Sequence, residues 1–183
     1  LLAWKRASYL RHTPMASQRI SKNTAALLRS SSITLTLPRL HSAQATIKKQ
    51  ARRFNALRCG RRFGKDVLLQ DVLIQPAIQH GAPVAWFAPI YRDLAENWRD
   101  VLHVLRPIVK SANSTDKRIE LITGGVIDMW SLDDRDSGRG RKYKRVVINE
   151  ASKVKDLQYS WEYVIRATLA DFGGDAWVGG TPK

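Results

Sequence analysis

Arg58-Cys59-Gly60-Arg61-Arg62-Phe63-Gly64-Lys65-Asp66 joins two stretches of different pattern. Before it, Phe54 to Leu57 reads as a short strand. After it, Val67-Leu68-Leu69-Gln70-Asp71-Val72-Leu73-Ile74 carries apolar residues at helical spacing. Strand, glycine-bearing turn, Gly-Lys and helix together make the layout of a phosphate-binding loop. A helix start offers unpaired N–H groups and the positive end of a dipole, and glycines let a polyphosphate approach the backbone. Lys65 then reaches the terminal phosphates as a point charge. The standard pattern is G-x-x-x-x-G-K-[ST]. Here Cys59 occupies the first glycine slot, Gly60 follows one residue later, and Asp66 fills the Ser/Thr slot. An ordinary strand-to-helix turn can also contain Gly-Lys, but the flanking elements favour nucleotide binding.

The chain has 183 residues and a formal net charge of +15. All of that excess lies in residues 1–65, which hold 15 Lys and Arg and no acid; the remainder is balanced, 16 against 16. Such asymmetry suits an arm near nucleic acid or another polyanion, or a solvated tail without a partner. Cys59 is the single cysteine, which excludes an intramolecular disulfide and a cysteine-rich zinc site. No apolar run approaches the ~20 residues that span a bilayer, so no membrane partner is expected. Residues 1–32 are rich in Arg and Ser without sustained periodicity. They resemble a transit peptide, or else precede a true start at Met15; the second reading is preferred, with a disordered basic segment over 1–32.

Ser42 is the expected N-cap of a helix running to about Arg52, and His41 is structural. Gln44 lies in the first turn. An amide just upstream of a phosphate loop can read an adenine edge; an exposed helical glutamine is the alternative. The P-loop helix is expected to bend or end near Pro76. Pro83-Val84-Ala85-Trp86-Phe87-Ala88-Pro89 predicts a buried strand, and a helix follows from Ile90 to Pro107. Arg92 and Arg99 on that helix either touch phosphates or are solvated. Thr123-Gly124-Gly125 between two alternating runs predicts a hairpin. Asp133, Asp134 and Asp136 lack calcium-loop spacing and read as a solvated acidic turn.

Arg145-Val146-Val147-Ile148-Asn149-Glu150 is the second informative stretch: three β-branched residues in a doubly buried strand that ends in a polar-acid pair. Chemistry in open α/β sheets gathers at strand carboxyl ends. An acid in that place orients or deprotonates the water that attacks a nucleotide, beside a side chain that helps hold Mg²⁺. A further helix spans about Lys155 to Leu169, and Asp175 to Gly180 is a last strand before Thr181-Pro182-Lys183. The alternation of strands and helices gives an α/β class.

Taken in order, Leu40-His41-Ser42-Ala43-Gln44, Cys59 to Lys65, Trp86-Phe87-Ala88-Pro89-Ile90-Tyr91, Trp130-Ser131-Leu132-Asp133-Asp134, Arg139 to Tyr143, Val146 to Ala151 and Gly180-Thr181-Pro182-Lys183 resemble the ATPase domain of the large terminase subunit of tailed bacteriophages. That family packages DNA into the prohead. The resemblance covers about Leu37 to Lys183 and implies a P-loop NTPase fold of the ASCE type, a mainly parallel central sheet flanked by helices on both faces. It implies a domain over 33–183 that is cut short at its C-terminal end, with the strand leading to Thr181 lying between the P-loop strand and the Glu150 strand. The implied ligands are ATP, held by Gln44, Cys59, Gly60, Arg61, Arg62, Phe63, Gly64, Lys65 and Asp66, and Mg²⁺ at Asp66 and Asn149. The implied catalytic set is Glu150, as the Walker B acid, with Arg61 and Lys65 on the phosphates; Thr181 would be the γ-phosphate sensor. The implied partners are double-stranded DNA, the portal and prohead, the small terminase subunit and a homo-oligomeric ring, in the host cytoplasm. The family's nuclease domain has no counterpart in the sequence, and no DNA cleavage is expected.

Two positions depart from the family pattern, which has Thr where this chain has Asp66 and Asp where it has Asn149. Both belong to the metal shell. Two readings follow: a compensating exchange, in which Asp66 carries the anionic oxygen that Asn149 lacks so that one carboxylate remains near the ion, or an ATPase weakened by a poor metal site in which Asp66 repels the phosphates. Two other functions stay open on the residues: a superfamily-2-type helicase ATPase, and a basic DNA-binding remnant with a dead nucleotide site.

Overall fold

The computed structural model describes residues 33–182; the expectations for segment 1–32 lie outside them. Seven strands, β1 (Phe54–Arg58), β2 (Pro83–Ala88), β3 (Val109–Asn113), β4 (Arg118–Leu121), β5 (Val126–Ser131), β6 (Arg145–Ile148) and β7 (Asp175–Gly180), form one sheet in the order β1-β7-β6-β2-β5-β4-β3. The five strands from β1 to β5 in that order run parallel. Strand β4 is antiparallel to β5, and β3 to β4. The fold expected from the sequence is the fold observed, with β7 inserted between β1 and β6.

Alternation along the central strands sends side chains to two faces. Trp86, Val147 and Trp177 pack on one side against α2 (Lys65–His80) and α3 (Leu94–Leu105), through Leu68, Leu69, Leu94, Trp98 and their neighbours. The short helix α1 (Ser42–Lys49) adds Ile47 to that layer. Ala85, Phe87, Val146, Ile148 and Ala176 face the other way, onto Tyr143, Ile165 and Leu169. Ile165 belongs to α4, residues 157–168, a continuous helix whose middle, Ser160–Ile165, is π-helical. Helices therefore cover both faces, and β2 and β6 carry apolar side chains on each, as a parallel sheet requires.

Two expectations are corrected and one strand is added. Helix α2 does not end near Pro76 but continues to His80 and closes at Gly81. Proline has no N–H to donate to the carbonyl one turn back, and the Arg145 guanidinium fills that role, donating to the Val72 oxygen at 2.7 Å. Arg145 is itself held by Asp175 in a two-pronged pair of 2.5 and 2.7 Å. The N-cap of α1 is His41 rather than Ser42: its ring accepts the Gln44 N–H while the Gln44 side chain accepts the His41 N–H. Finally, the helix ending at Leu105 is followed by a strand, β3, that the sequence does not announce. Four of its five residues are exposed, so it carries no alternating apolar pattern, and it pairs with β4 through its backbone.

The hairpin at Thr123-Gly124-Gly125 forms as expected between β4 and β5. Asp133 accepts the Tyr91 N–H and the Ser131 hydroxyl, and Asp136 pairs with Arg139 at 2.8 Å. The acidic turn is therefore tied within its own surroundings. Among the described residues no group of three His, Cys, Asp or Glu could hold a metal ion by itself, and no helix is long and apolar enough to cross a membrane.

Candidate functional site

The loop after β1 runs beside the end of β7, where the Cys59 N–H donates to the Gly180 oxygen at 3.1 Å. Cys59 is buried, and burial pushes its thiol up despite the opposing Lys65 ammonium. The thiol is a packing group. Arg61 and Arg62 are exposed, and Gly64 takes the left-handed conformation, φ 76°, as the N-cap of α2. A Cβ at Gly64 would lie 2.7 Å from the Gln44 amide nitrogen. The first intrahelical bond runs from the Leu68 N–H to the Gly64 oxygen, so the N–H groups of Lys65, Asp66 and Val67 have no helical partner.

Lys65 begins α2 with its side chain only 7% exposed. Its stem lies along β7, where Gly179 makes room: a Cβ there would stand 2.7 Å from Leu69 and 3.3 Å from Lys65. The ammonium donates to Glu150 at 2.8 Å, to Asp66 at 3.1 Å, and to the Asn149 side-chain oxygen. Three protons meet three acceptors, so the group is fully satisfied. The Thr181 hydroxyl donates to the same Glu150 oxygen at 3.3 Å, and Lys153 pairs with the other at 3.2 Å. Strand β6 thus delivers Asn149 and Glu150, β7 delivers Thr181, and β1 with α2 delivers Lys65. All four side chains meet because β7 separates the other two strands by a single position.

Glu150 has left-handed backbone angles, φ 50° and ψ 42°. For a residue with a side chain this costs ~1–2 kcal/mol, the kind of strain that accumulates at functional sites. Burial pushes the Glu150 carboxyl up, but hydrogen bonds and charge from Lys65 and Lys153 outweigh it and hold it below the ordinary value. The acid is therefore ionised at neutral pH.

A cleft of about 410 Å³ opens over this cluster, within the ~300–1,000 Å³ range of small-ligand sites. Its walls include Arg61, Lys65, Asp66, Glu150 and Thr181. Gln44 does not reach it. Its amide is 3% exposed, donates to the Phe63 and Gly64 oxygens at 3.2 and 2.8 Å, and accepts the His41 N–H at 3.0 Å. Where the sequence suggested an adenine contact, the structure has a brace under the loop. Asn149 sits at 5% exposure beneath Lys65. Arg92 is exposed away from the cleft, and Arg99 lines a separate groove with His103 and Arg106.

The cleft's far wall was not foreseen. Glu96, Asn97 and Asp100 of α3 line it together with Gln70, whose amide donates to Asn97 at 2.9 Å. In sequence these are the polar face of an amphipathic helix, indistinguishable from a solvated one. Lys153 was also missed. Its only signal is the spacing of three residues from Glu150, which matters once the intervening segment is known to be a 3₁₀ turn.

No protein-family model matches the chain, and no curated protein matches it by sequence. Comparison of folds does find relatives. The large terminase ATPase domain of Thermus phage P74-26 superposes with a TM-score of 0.68 at 19% identity, over 79% of this chain and 66% of that one. The HK97 bacteriophage large terminase gives 0.63 at 13% identity, over 79% and 33%. A large terminase from a thermophilic bacteriophage, in complex with ADP, gives 0.55 at 12%, over 69% and 33%. The chain thus spans about two thirds of the isolated domain and a third of the longer proteins. At these identities the likeness is one of fold: this chain has the fold of phage large-terminase ATPase domains.

Proposed function

We propose that this chain binds ATP at the 59–66 loop and hydrolyses it to drive double-stranded DNA in a phage packaging motor. The observation that carries the reading is the Glu150 carboxylate 2.8 Å from the Lys65 ammonium, under a cleft whose loop has N–H groups without helical partners and a left-handed glycine, Gly64, at the helix start. Phosphate oxygens entering there replace the side-chain acceptors of Lys65. Arg61, on the cleft wall, adds positive charge where the terminal phosphate develops negative charge. Glu150, released from Lys65, turns an oxygen to the attacking water and takes its proton. Thr181 links that same carboxylate to β7, so the state of the reacting phosphate reaches the strand end that follows.

Asp66 and Asn149 each present an oxygen to the Lys65 ammonium, so both donors converge on one point. That donor set fits Mg²⁺, which takes few carboxylates and completes its shell with waters and phosphate oxygens. Bound there, the ion would neutralise phosphate charge. Asp66 would supply the single anionic ligand and Asn149 a neutral one, once the Lys65 ammonium had moved to the phosphates. The portal, the prohead, a small subunit and a ring of copies are the assembly this reading implies, in the cytoplasm of a phage-infected cell.

ATP turnover by the chain and its variants tests the proposal. Mg²⁺-dependent hydrolysis is expected, with Glu150→Gln lowering kcat ~100-fold or more while ATP still binds. Asp66→Thr and Asn149→Asp should each impair turnover and together restore it. Additive losses would refute the exchange. ATP binding without turnover at any Mg²⁺ or Mn²⁺ concentration would select a non-catalytic role, and failure to bind ATP at all would end the reading.

A further inference from the structure

Immediately after Glu150 the chain makes the 3₁₀ turn Ala151–Lys153, closed by the Lys153 N–H donating to the Glu150 oxygen at 2.8 Å. In a 3₁₀ turn residues three apart lie one above the other. Lys153 is therefore stacked over Glu150, with its ammonium 3.2 Å from Oε2. The two carboxylate oxygens have separate partners: Oε1 meets Lys65 and Thr181, and Oε2 meets Lys153. Lys153 lies outside the residues that line the nucleotide cleft.

We propose that Lys153 is a positioning residue for Glu150, holding Oε2 so that Oε1 faces the cleft once Lys65 has moved to phosphate. The inference rests on the ATPase reading above. While Lys65 holds Oε1, that ammonium alone fixes the carboxylate and Lys153 is redundant. When Lys65 serves the phosphates, the only ammonium still bound to Glu150 is that of Lys153. A carboxylate with Oε2 released and Oε1 held only by the 3.3 Å contact to the Thr181 hydroxyl would pivot about that one bond and spread its lone pairs over directions that do not point at water. The left-handed backbone of Glu150 fixes where the side chain begins, and Lys153 fixes where it ends. An ordinary exposed ion pair of this spacing would contribute little to anything, which is why the distinguishing readout is kinetic.

The experiment compares Lys153→Ala, Lys153→Met and Lys153→Arg in the full chain, with Lys155→Ala as the control at an exposed position outside the turn. Steady-state ATP hydrolysis and thermal denaturation are measured for each. Loss of the ammonium should lower kcat about tenfold, as part of the contribution of a positioned base, and leave KM within about twofold. Arginine, which keeps a donor over Oε2, should recover most of the rate. Melting midpoints should match wild type throughout. A Lys153→Ala enzyme whose kcat equals or exceeds wild type overturns the assignment, as does a KM that rises in step with the loss of rate. A wild-type chain that turns over no ATP defeats the ATPase reading and this role with it. Wild-type turnover together with an unaffected Lys153→Ala defeats this role alone.

Discussion

Replacing Gln44 by alanine separates a structural brace from a base-reading side chain. In the ligand-free protein the amide is buried and makes three hydrogen bonds, to the Phe63 and Gly64 oxygens and from the His41 N–H. At ~0.5–1.5 kcal/mol each, the loss of all three amounts to about 1.5–4.5 kcal/mol. Part of the capping box of α1 goes with them. For a domain of this size ~1 kcal/mol moves the melting midpoint by ~2–4 °C, so a fall of roughly 3–18 °C is expected without any ligand present. The loop should also lose its preformed shape, weakening ATP and GTP alike. Gln44→Glu should be at least as damaging, because a carboxylate cannot donate to two carbonyls. Thermal denaturation and equilibrium binding of both nucleotides give the answer. An unchanged melting midpoint with selective loss of ATP over GTP would refute the brace and restore the adenine contact.

Arg145→Ala should be among the most destabilising single changes at the N-terminal ends of the central strands, by roughly 2–4 kcal/mol in urea denaturation, since it strands the Val72 carbonyl opposite Pro76 and leaves Asp175 without its partner. Restoring the proline position with Pro76→Ala in that background should recover part of the loss, because the helix then supplies its own donor. Gly179→Val should abolish nucleotide binding more than it lowers stability, since its side chain would occupy the path of the Lys65 stem; isothermal titration with ATP reads the effect directly. On the acid side, the depressed Glu150 carboxyl contributes stability that is fully present above its unfolded value near ~4.3. That contribution disappears as pH falls through the lower folded value. The melting midpoints of wild type and Glu150→Gln should therefore converge progressively as pH falls from the unfolded value of ~4.3 through the lower folded one, and divergence there would contradict the sign.

The parts legible from residues alone are those in which local pattern and tertiary role coincide. Val146-Val147-Ile148 has to be a doubly buried strand, and Gly64-Lys65 between a strand and an apolar helix has to be a turn that exposes N–H groups. The misses share a different cause. Whether α2 survives Pro76 depends on a guanidinium from β6, distant in sequence. Strand β3 exists because β4 offers it an edge, not because Val109 to Asn113 alternate. Histidine is not an ordinary N-cap, and His41 serves as one because Gln44 completes the exchange beneath the Phe63 carbonyl. The left-handed backbone of Glu150 has no sequence signal at all, since only glycine and asparagine advertise that conformation.

The sheathed ammonium of Lys65 has a consequence for how strongly different anions are held. Because its three protons already have oxygen acceptors, an incoming anion does not fall into a bare positive well; it must outcompete acids that are part of the protein. A lone sulfate or orthophosphate brings too few contacts for that contest. A long polyanion can meet the loop amides, Arg61 and Lys65 together, and so wins by the number of bonds made at once. On the ATPase reading proposed above, this arrangement discriminates by the length of the phosphate tail, and Glu150 is freed for catalysis only by a ligand long enough to displace it.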